Sequence, residues 1–177
     1  MANVVRGCVF CSIIHRQHDK HLKTSDNAVL IQDRSPRAPH HYLILSKLHI
    51  SHASNLTVVD LPLVKEMDGL GRDYLREMLK EKGEADTVED LLRIGFHWSL
   101  FLSVRHLHMH LLYPARGISF FYRTILFRPG RFFRTTKDII DKLEKKKDAD
   151  SRKSLKKAAR SSRTASGSNM KSATATT

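Results

Sequence analysis

The run Ser103-Val104-Arg105-His106-Leu107-His108-Met109-His110-Leu111-Leu112 constrains this chain more than any other segment, because histidine alternates in it with large apolar residues. A period of two marks a half-buried β-strand, since successive side chains leave a pleated strand on opposite faces. A strand over His106–Tyr113 sends Leu107, Met109 and Leu111 into a core. It places His106, His108 and His110 on the other face as a row repeating every ~6.6–6.8 Å. Imidazole is nucleophilic when neutral and donates a proton when charged, both near neutral pH. Three neighbouring imidazoles repel as cations, which favours a mixed state where one attacks and another donates. A merely solvated strand face would carry Lys, Glu or Thr instead. Same-face residues also diverge with sheet twist and rarely converge on one ion, so a pure metal site ranks behind a catalytic one.

The rest of the patterning supplies a scaffold for that strand. Val29–Asp33 and His41–Ser46 read as strands joined by the turn segment Ser35-Pro36-Arg37-Ala38-Pro39, which suits antiparallel neighbours. Apolar residues at Leu63, Val64, Met67, Leu70, Leu75, Met78 and Leu79 predict a long helix from Asp60 to about Lys82. Asp60 is placed to cap it, Pro62 lies in its first turn and Gly83 is its stop. Nothing in the sequence accounts for Gly69 and Gly71 within that helix. Leu91–His97 is a further strand, and Phe120–Phe133 reads as a hairpin or bent edge around Arg128-Pro129-Gly130-Arg131. Thr135–Lys147 reads as a short amphipathic helix led by Ile139, Ile140 and Leu143. The mixture predicts an α+β domain with an antiparallel sheet of about five strands, one long helix and one or two short ones.

Residues 1–144 form the expected domain, with a core at about 8–113 and an extension over 114–144. Residues 145–177 contain ten Lys/Arg, two Asp/Glu and no aromatic residue, and so carry +8 of the chain's formal +13. Such a segment buries too little to offset its ordering entropy, so a disordered basic tail is expected. It would bind nucleic acid weakly, blind to sequence and steeply dependent on salt. Its Lys145–Lys147 and Lys156–Arg160 clusters resemble a two-part nuclear import signal, with a plain solvated tail as the alternative. No apolar run approaches the ~18 residues needed to cross a bilayer. The N-terminus also lacks a secretory layout, so no membrane role is expected and the protein is placed in cytoplasm, nucleus or both. The two cysteines, Cys8 and Cys11, are spaced Cys-x-x-Cys, a metal-binding or redox pattern in a reducing compartment rather than a structural disulfide.

His106-Leu107-His108-Met109-His110-Leu111-Leu112 resembles the signature of the histidine triad (HIT) family. Cys8–Ile14 is similar to that family's N-terminal segment, and Asp33–Ile50 to its central strand pair, in the expected order. Gly95-Phe96-His97 with Ser103-Val104 resembles the Hint branch, and more distantly aprataxin. The better-known Hint pattern has Asn where this chain has Gly95, and Gly-Gly-Gln before the serine where this chain has Phe101-Leu102.

The resemblance implies a HIT-like fold and a role for each site residue. His108 would be the nucleophile, forming a covalent nucleotidyl intermediate that water hydrolyses. His110 would contact phosphate oxygens and pass a proton to the leaving group. Ser103 would donate a hydroxyl to phosphate or leaving group, its plainer reading being a turn serine. His41 aligns with a fourth active-site histidine, while His40 faces the other side of its strand. Asp33 aligns with the carboxylate that binds both ribose hydroxyls, although a turn-capping Asp is its ordinary use. The Arg34 main chain would line the base pocket, and His97 either reaches the nucleotide or simply ends a strand. Cys8, Cys11, His49 and His106 are the set through which some HIT proteins hold a structural zinc; the alternative is two free thiols.

The implied activity is hydrolysis of adenosine 5'-phosphoramidates and related AMP conjugates to AMP, with an adenosine nucleotide as substrate. No cofactor is required for that chemistry, and the resemblance also implies a homodimer. Two alternatives stand beside it: an aprataxin-like DNA-adenylate hydrolase, and a zinc-dependent nucleic-acid-binding or scaffold protein.

Overall fold

In the computed structural model, which describes residues 4–84, 88–98 and 104–168, the histidine strand is central. The elements are α1 (Val9–Arg16), β1 (Lys23–Thr24), β2 (Ala28–Gln32), β3 (His40–Ser46), α2 (Leu61–Glu81), α3 (Val88–Leu91), β4 (Arg93–His97), β5 (His108–Tyr113), β6 (Phe133–Thr135) and α4 (Thr136–Ser168). They build an α+β fold around one six-stranded sheet in the order β1-β2-β3-β5-β4-β6. Each neighbouring pair in it runs antiparallel. Strand β5 thus sits between β3 and β4, with His108 opposite Leu45 and His110 opposite both Leu43 and Gly95.

The alternation in β5 sorts the two faces. Leu107, Met109 and Leu111 join Leu30, Ile44 and Phe96 beneath α2, whose Val64, Met67 and Leu75 are fully buried. Burying each such side chain stabilises the fold by about 1.5–3 kcal/mol. On the opposite face, Phe10, Ile13 and Ile14 of α1 cover Val29, Ile31, Leu43 and Leu45. Beside them Leu112, Phe127 and Phe133 make a second apolar patch. The site histidines occupy the ground between those two clusters.

Several sequence expectations change in detail. Asp60 makes no side-chain cap on α2. Its carboxylate instead accepts from the Thr57 main-chain N–H at 2.7 Å and the Thr57 hydroxyl at 2.9 Å, closing the turn before the helix. Gly71 has a packing reason: a Cβ there would lie 2.9 Å from Leu111 Cδ1, so α2 approaches the sheet closely at this point. Phe120–Phe133 is not a hairpin, but a π-helical turn over Tyr122–Leu126 followed by a tight turn into β6. His106 precedes β5 rather than belonging to it.

Within the described residues the short helix expected over Thr135–Lys147 is corrected to a long one, because α4 runs on to Ser168. Its start is docked: Ile139 and Leu143 are buried, and Thr135 and Asp138 cap it reciprocally at 3.2 and 3.1 Å. Beyond that nucleus each added residue gains a backbone hydrogen bond, and Lys, Arg and Ala favour helix without needing burial. No proline occurs between Thr136 and Ser168, and glycine appears only at Gly167.

The sixth strand explains Gly95. A Cβ on Gly95 would lie 2.2 Å from the Arg134 carbonyl oxygen and 2.8 Å from Phe133 Cε1. Main chain cannot yield as a flexible side-chain end can, so only glycine lets β6 pair here. Gly95→Ala should therefore destabilise the protein by about 2 kcal/mol, an overpacking penalty. Urea unfolding would show this as a lower midpoint at unchanged slope. An unchanged midpoint would refute the packing account.

Candidate active site

Of the three triad histidines, two face a common pocket and the third faces elsewhere. His108 and His110 are buried on β5 with ring centroids 5.1 Å apart. His108 Nδ1 lies 2.7 Å from the His106 carbonyl oxygen. A carbonyl can only accept, so the His108 proton resides on Nδ1 and its Nε2 keeps a free lone pair. The Phe10 ring packs edge-on against His108 at 5.1 Å and fixes its plane.

His110 is held by a second chain of the same kind. The Arg37 main-chain N–H donates to His41 Nδ1 at 3.1 Å. His41 must then carry its proton on Nε2, which lies 3.0 Å from His110 Nδ1 and 3.3 Å from Asp33 Oδ2. With Nδ1 accepting, the neutral His110 ring bears its hydrogen on Nε2, a buried atom without a partner among the described residues. An unpaired buried donor is costly unless a ligand satisfies it. His97 packs against the same ring at 4.6 Å.

Burial keeps this cluster neutral. It is the leading cause that lowers the proton affinity of His108, His110 and His41 below the ordinary imidazole value. Burial, then the neighbouring His108 charge, pushes His97 down to about 4. Among these four histidines, a second proton would meet both low dielectric and like charge.

These groups open onto a cavity of about 1030 Å³. Phe10, Ile13, Leu22, Ile31 and Leu43 form its apolar side, with Asp33 and Arg34 at the rim. Asp33 makes the turn that its residue type suggests, Oδ1 accepting from the Ser35 N–H at 2.7 Å, while Oδ2 faces His41 at 3.3 Å. Arg34 is exposed, so its guanidinium is free of the core. Ser103 lies outside the described residues. Sequence reasoning missed the Arg37 main chain, Phe10, Tyr122 and Phe127, all of which line this cavity. Only the proline-bracketed turn and the aromatic run over 120–133 hinted at them.

His106 turns toward the N-terminal segment. Its Nε2 donates to the Ser46 carbonyl at 2.8 Å, so its Nδ1 is an acceptor. That atom lies 3.4 Å from Cys8 Sγ, 3.6 Å from Cys11 Sγ and 3.1 Å from His49 Nδ1. Cys11 Sγ is 3.3 Å from His49 Nδ1, and the four donor atoms lie within 4.8 Å of one another. Cys8 is the N-cap residue of α1, its thiol accepting from Cys11 N–H at 3.5 Å, which brings both sulfurs to one end of the helix.

Residues 7–123 match the family model described as scavenger mRNA decapping enzyme C-term binding. The chain is 34% identical over 140 residues to an adenosine 5'-monophosphoramidase HINT3 from Xenopus tropicalis, covering 78% of this chain and 88% of that protein. It is 29% identical over 147 residues to the mouse (Mus musculus) protein of the same name, covering 81% and 85%. A solved HIT family hydrolase from Clostridium thermocellum superposes with a TM-score of 0.51 at 26% identity, over 61% of this chain and 90% of that one. Together with the two tautomer-locked histidines on a central strand, these matches establish that the chain belongs to the histidine triad family.

Proposed function

We propose that this site hydrolyses adenosine 5'-phosphoramidates and related AMP conjugates in two displacements at phosphorus through His108. The observation that carries the reading is the 2.7 Å bond from His108 Nδ1 to the His106 carbonyl, which leaves Nε2 as a neutral nucleophile on the cavity. The relatives named as adenosine 5'-monophosphoramidases support the same chemistry.

In the first step the Nε2 lone pair attacks the α-phosphorus, the P–N bond breaks and the amine departs with a proton. In the second, water attacks phosphorus and returns a proton to the His110 nitrogen that supplied one to the amine, the P–Nε2 bond breaks and AMP leaves. One difficult displacement becomes two easier ones. The unpaired His110 Nε2–H is placed to donate to a phosphate oxygen and to the departing nitrogen, with His41 holding the opposite edge of its ring. Asp33 would accept from the ribose hydroxyls, and the wall of Phe10, Ile13 and Leu43 would hold the base. An anionic phosphate would also offset the burial that keeps the imidazoles neutral.

We further propose that Cys8, Cys11, His49 and His106 hold a zinc ion. The donors fit: two thiolates and two imidazoles, 3.1–3.6 Å apart in the pairs given above. Tetrahedral zinc bonds to sulfur and nitrogen imply donor spacings of about 3.3–3.8 Å. When bound, the ion would act structurally, tying α1 to the turn that precedes β5. The Ser46 carbonyl orients the His106 ring for that role.

For the hydrolase reading, His108→Ala should lower kcat/KM on adenosine 5'-phosphoramidate by at least about 10³-fold while AMP still binds. Attack requires neutral His108, whose proton affinity lies below the ordinary 6.5. The wild-type kcat/KM should therefore be level above about pH 6.5 and fall as the pH drops through the lowered value. An acid limb centred at pH 7 or higher, or a preference for an adenylated DNA end over the phosphoramidate, would contradict the proposal. For the zinc reading, elemental analysis should find about one equivalent, with metal and thermal stability both lost in Cys8→Ser. Metal-free protein of full stability would remove the site.

A further inference from the structure

The two ends of the catalytic cavity differ. Phe10, Ile13, Ile31 and Leu43 of the α1 cluster line the apolar end and suit a nucleoside, whereas Tyr122, Leu126 and Phe127 belong to the separate Phe127–Phe133 cluster and line the cavity together with Arg37. The Arg37 guanidinium lies over the Tyr122 ring, 4.3 Å from its centroid. Beyond this pair the surface dips into a second groove of about 320 Å³, floored by Pro36, Ala38, Pro39, Gly117 and Ser119. Pro36, Arg37 and Tyr122 line both spaces, so they form the seam between them.

Charge is equally one-sided. The segment from Pro114 to Arg134 contains five arginines and no Asp or Glu. Arg123 within it lies near Arg93, whose proton affinity is lowered first by burial and then by the Arg123 charge. Arg37 is exposed and makes no ion pair with a described residue. Stacking on Tyr122 pre-orients the guanidinium plane and leaves its N–H edge free for a planar or tetrahedral anion. With base and ribose at the apolar end and the α-phosphate at His108, the departing group extends toward this seam.

Resting on the hydrolase reading, we propose that the Arg37–Tyr122 seam is a leaving-group subsite that selects AMP conjugates whose departing amine carries an anion. A carboxylate or a phosphate-type group would dock on the Arg37 edge, with its carbon skeleton in the groove beyond. The reaction is unchanged: the P–N bond breaks, and the amine leaves with its proton while its anion remains on Arg37 until release.

Adenosine 5'-phosphoramidates of alanine, alaninamide and 1-aminoethylphosphonate test this, since they share one kind of leaving nitrogen and differ in the charge beside it. The amine of alaninamide is the weaker base and the better intrinsic leaving group, so preference for the charged conjugates runs against reactivity. Wild type should favour the carboxylate and phosphonate over the amide by about fivefold or more in kcat/KM, the scale of one charge-assisted contact. The two charged arms distinguish a carboxylate from a phosphate-type anion. Arg37→Gln should collapse the ratio to about one, and Arg37→Lys should restore part of it. Each ratio is internal to one variant, so losses common to all three substrates cancel. Calorimetric Kd values for the same conjugates on His108→Asn should follow the same order. Equal values for charged and neutral conjugates in wild type, or a ratio that survives Arg37→Gln, overturns the subsite. Absence of turnover on all three with an intact Kd ratio would overturn the hydrolase reading and support the subsite.

Discussion

The proposed chemistry depends on one hydrogen bond, from His108 Nδ1–H to the carbonyl of His106 two residues earlier. It selects one tautomer of a buried ring and so decides which of its nitrogens keeps a free lone pair. The carbonyl is fixed because its own residue is anchored twice: His106 Nε2 donates to Ser46, and its Nδ1 faces Cys8, Cys11 and His49. The second lock, from the Arg37 main chain through His41 to His110, works in the same way. Both locks begin at main-chain groups, so their geometry is set by strand pairing and turns rather than by mobile side chains.

Burial completes what the hydrogen bonds begin. His108 and His110 lie between the α1 cluster and the Phe127–Phe133 cluster, where low dielectric disfavours their cationic forms. Neutral rings are nucleophiles at ordinary pH, and an anionic phosphate arriving among them meets an orphaned donor instead of competing water. The glycine at position 95 belongs to the same design. By admitting β6 it brings Phe133 against His97 at 5.5 Å and backs that ring with an apolar neighbour.

Much of this was legible in the residues, and the remainder was hidden for identifiable reasons. Alternation over Leu107–Leu111 gave both the strand and its two faces, because period two has a single structural meaning. It overstated the triad's uniformity: His106 N–H bonds the Val104 carbonyl at 3.0 Å in a turn, and nothing in the residue types marks where pairing starts. The role of the Arg37 N–H was invisible, since main-chain donors leave no trace in side-chain identity. Gly95 registered as a departure from the Hint pattern, yet its meaning lies in β6, a three-residue strand too short to carry a pattern. The length of α4 is hidden because residues 145–158 are exposed and carry no burial pattern. Lysine, arginine and alanine propagate a helix from a docked first turn without any burial.

The central claim is that the fold presents His108 Nε2, and no other nitrogen, to phosphorus. Rapid quench of wild-type protein with a labelled adenylyl phosphoramidate, followed by peptide mapping and phosphorus NMR of the modified residue, tests it directly. The account predicts AMP on His108, bonded through Nε2. An adduct through Nδ1 of that ring, or on His97, His110 or His41, would contradict it.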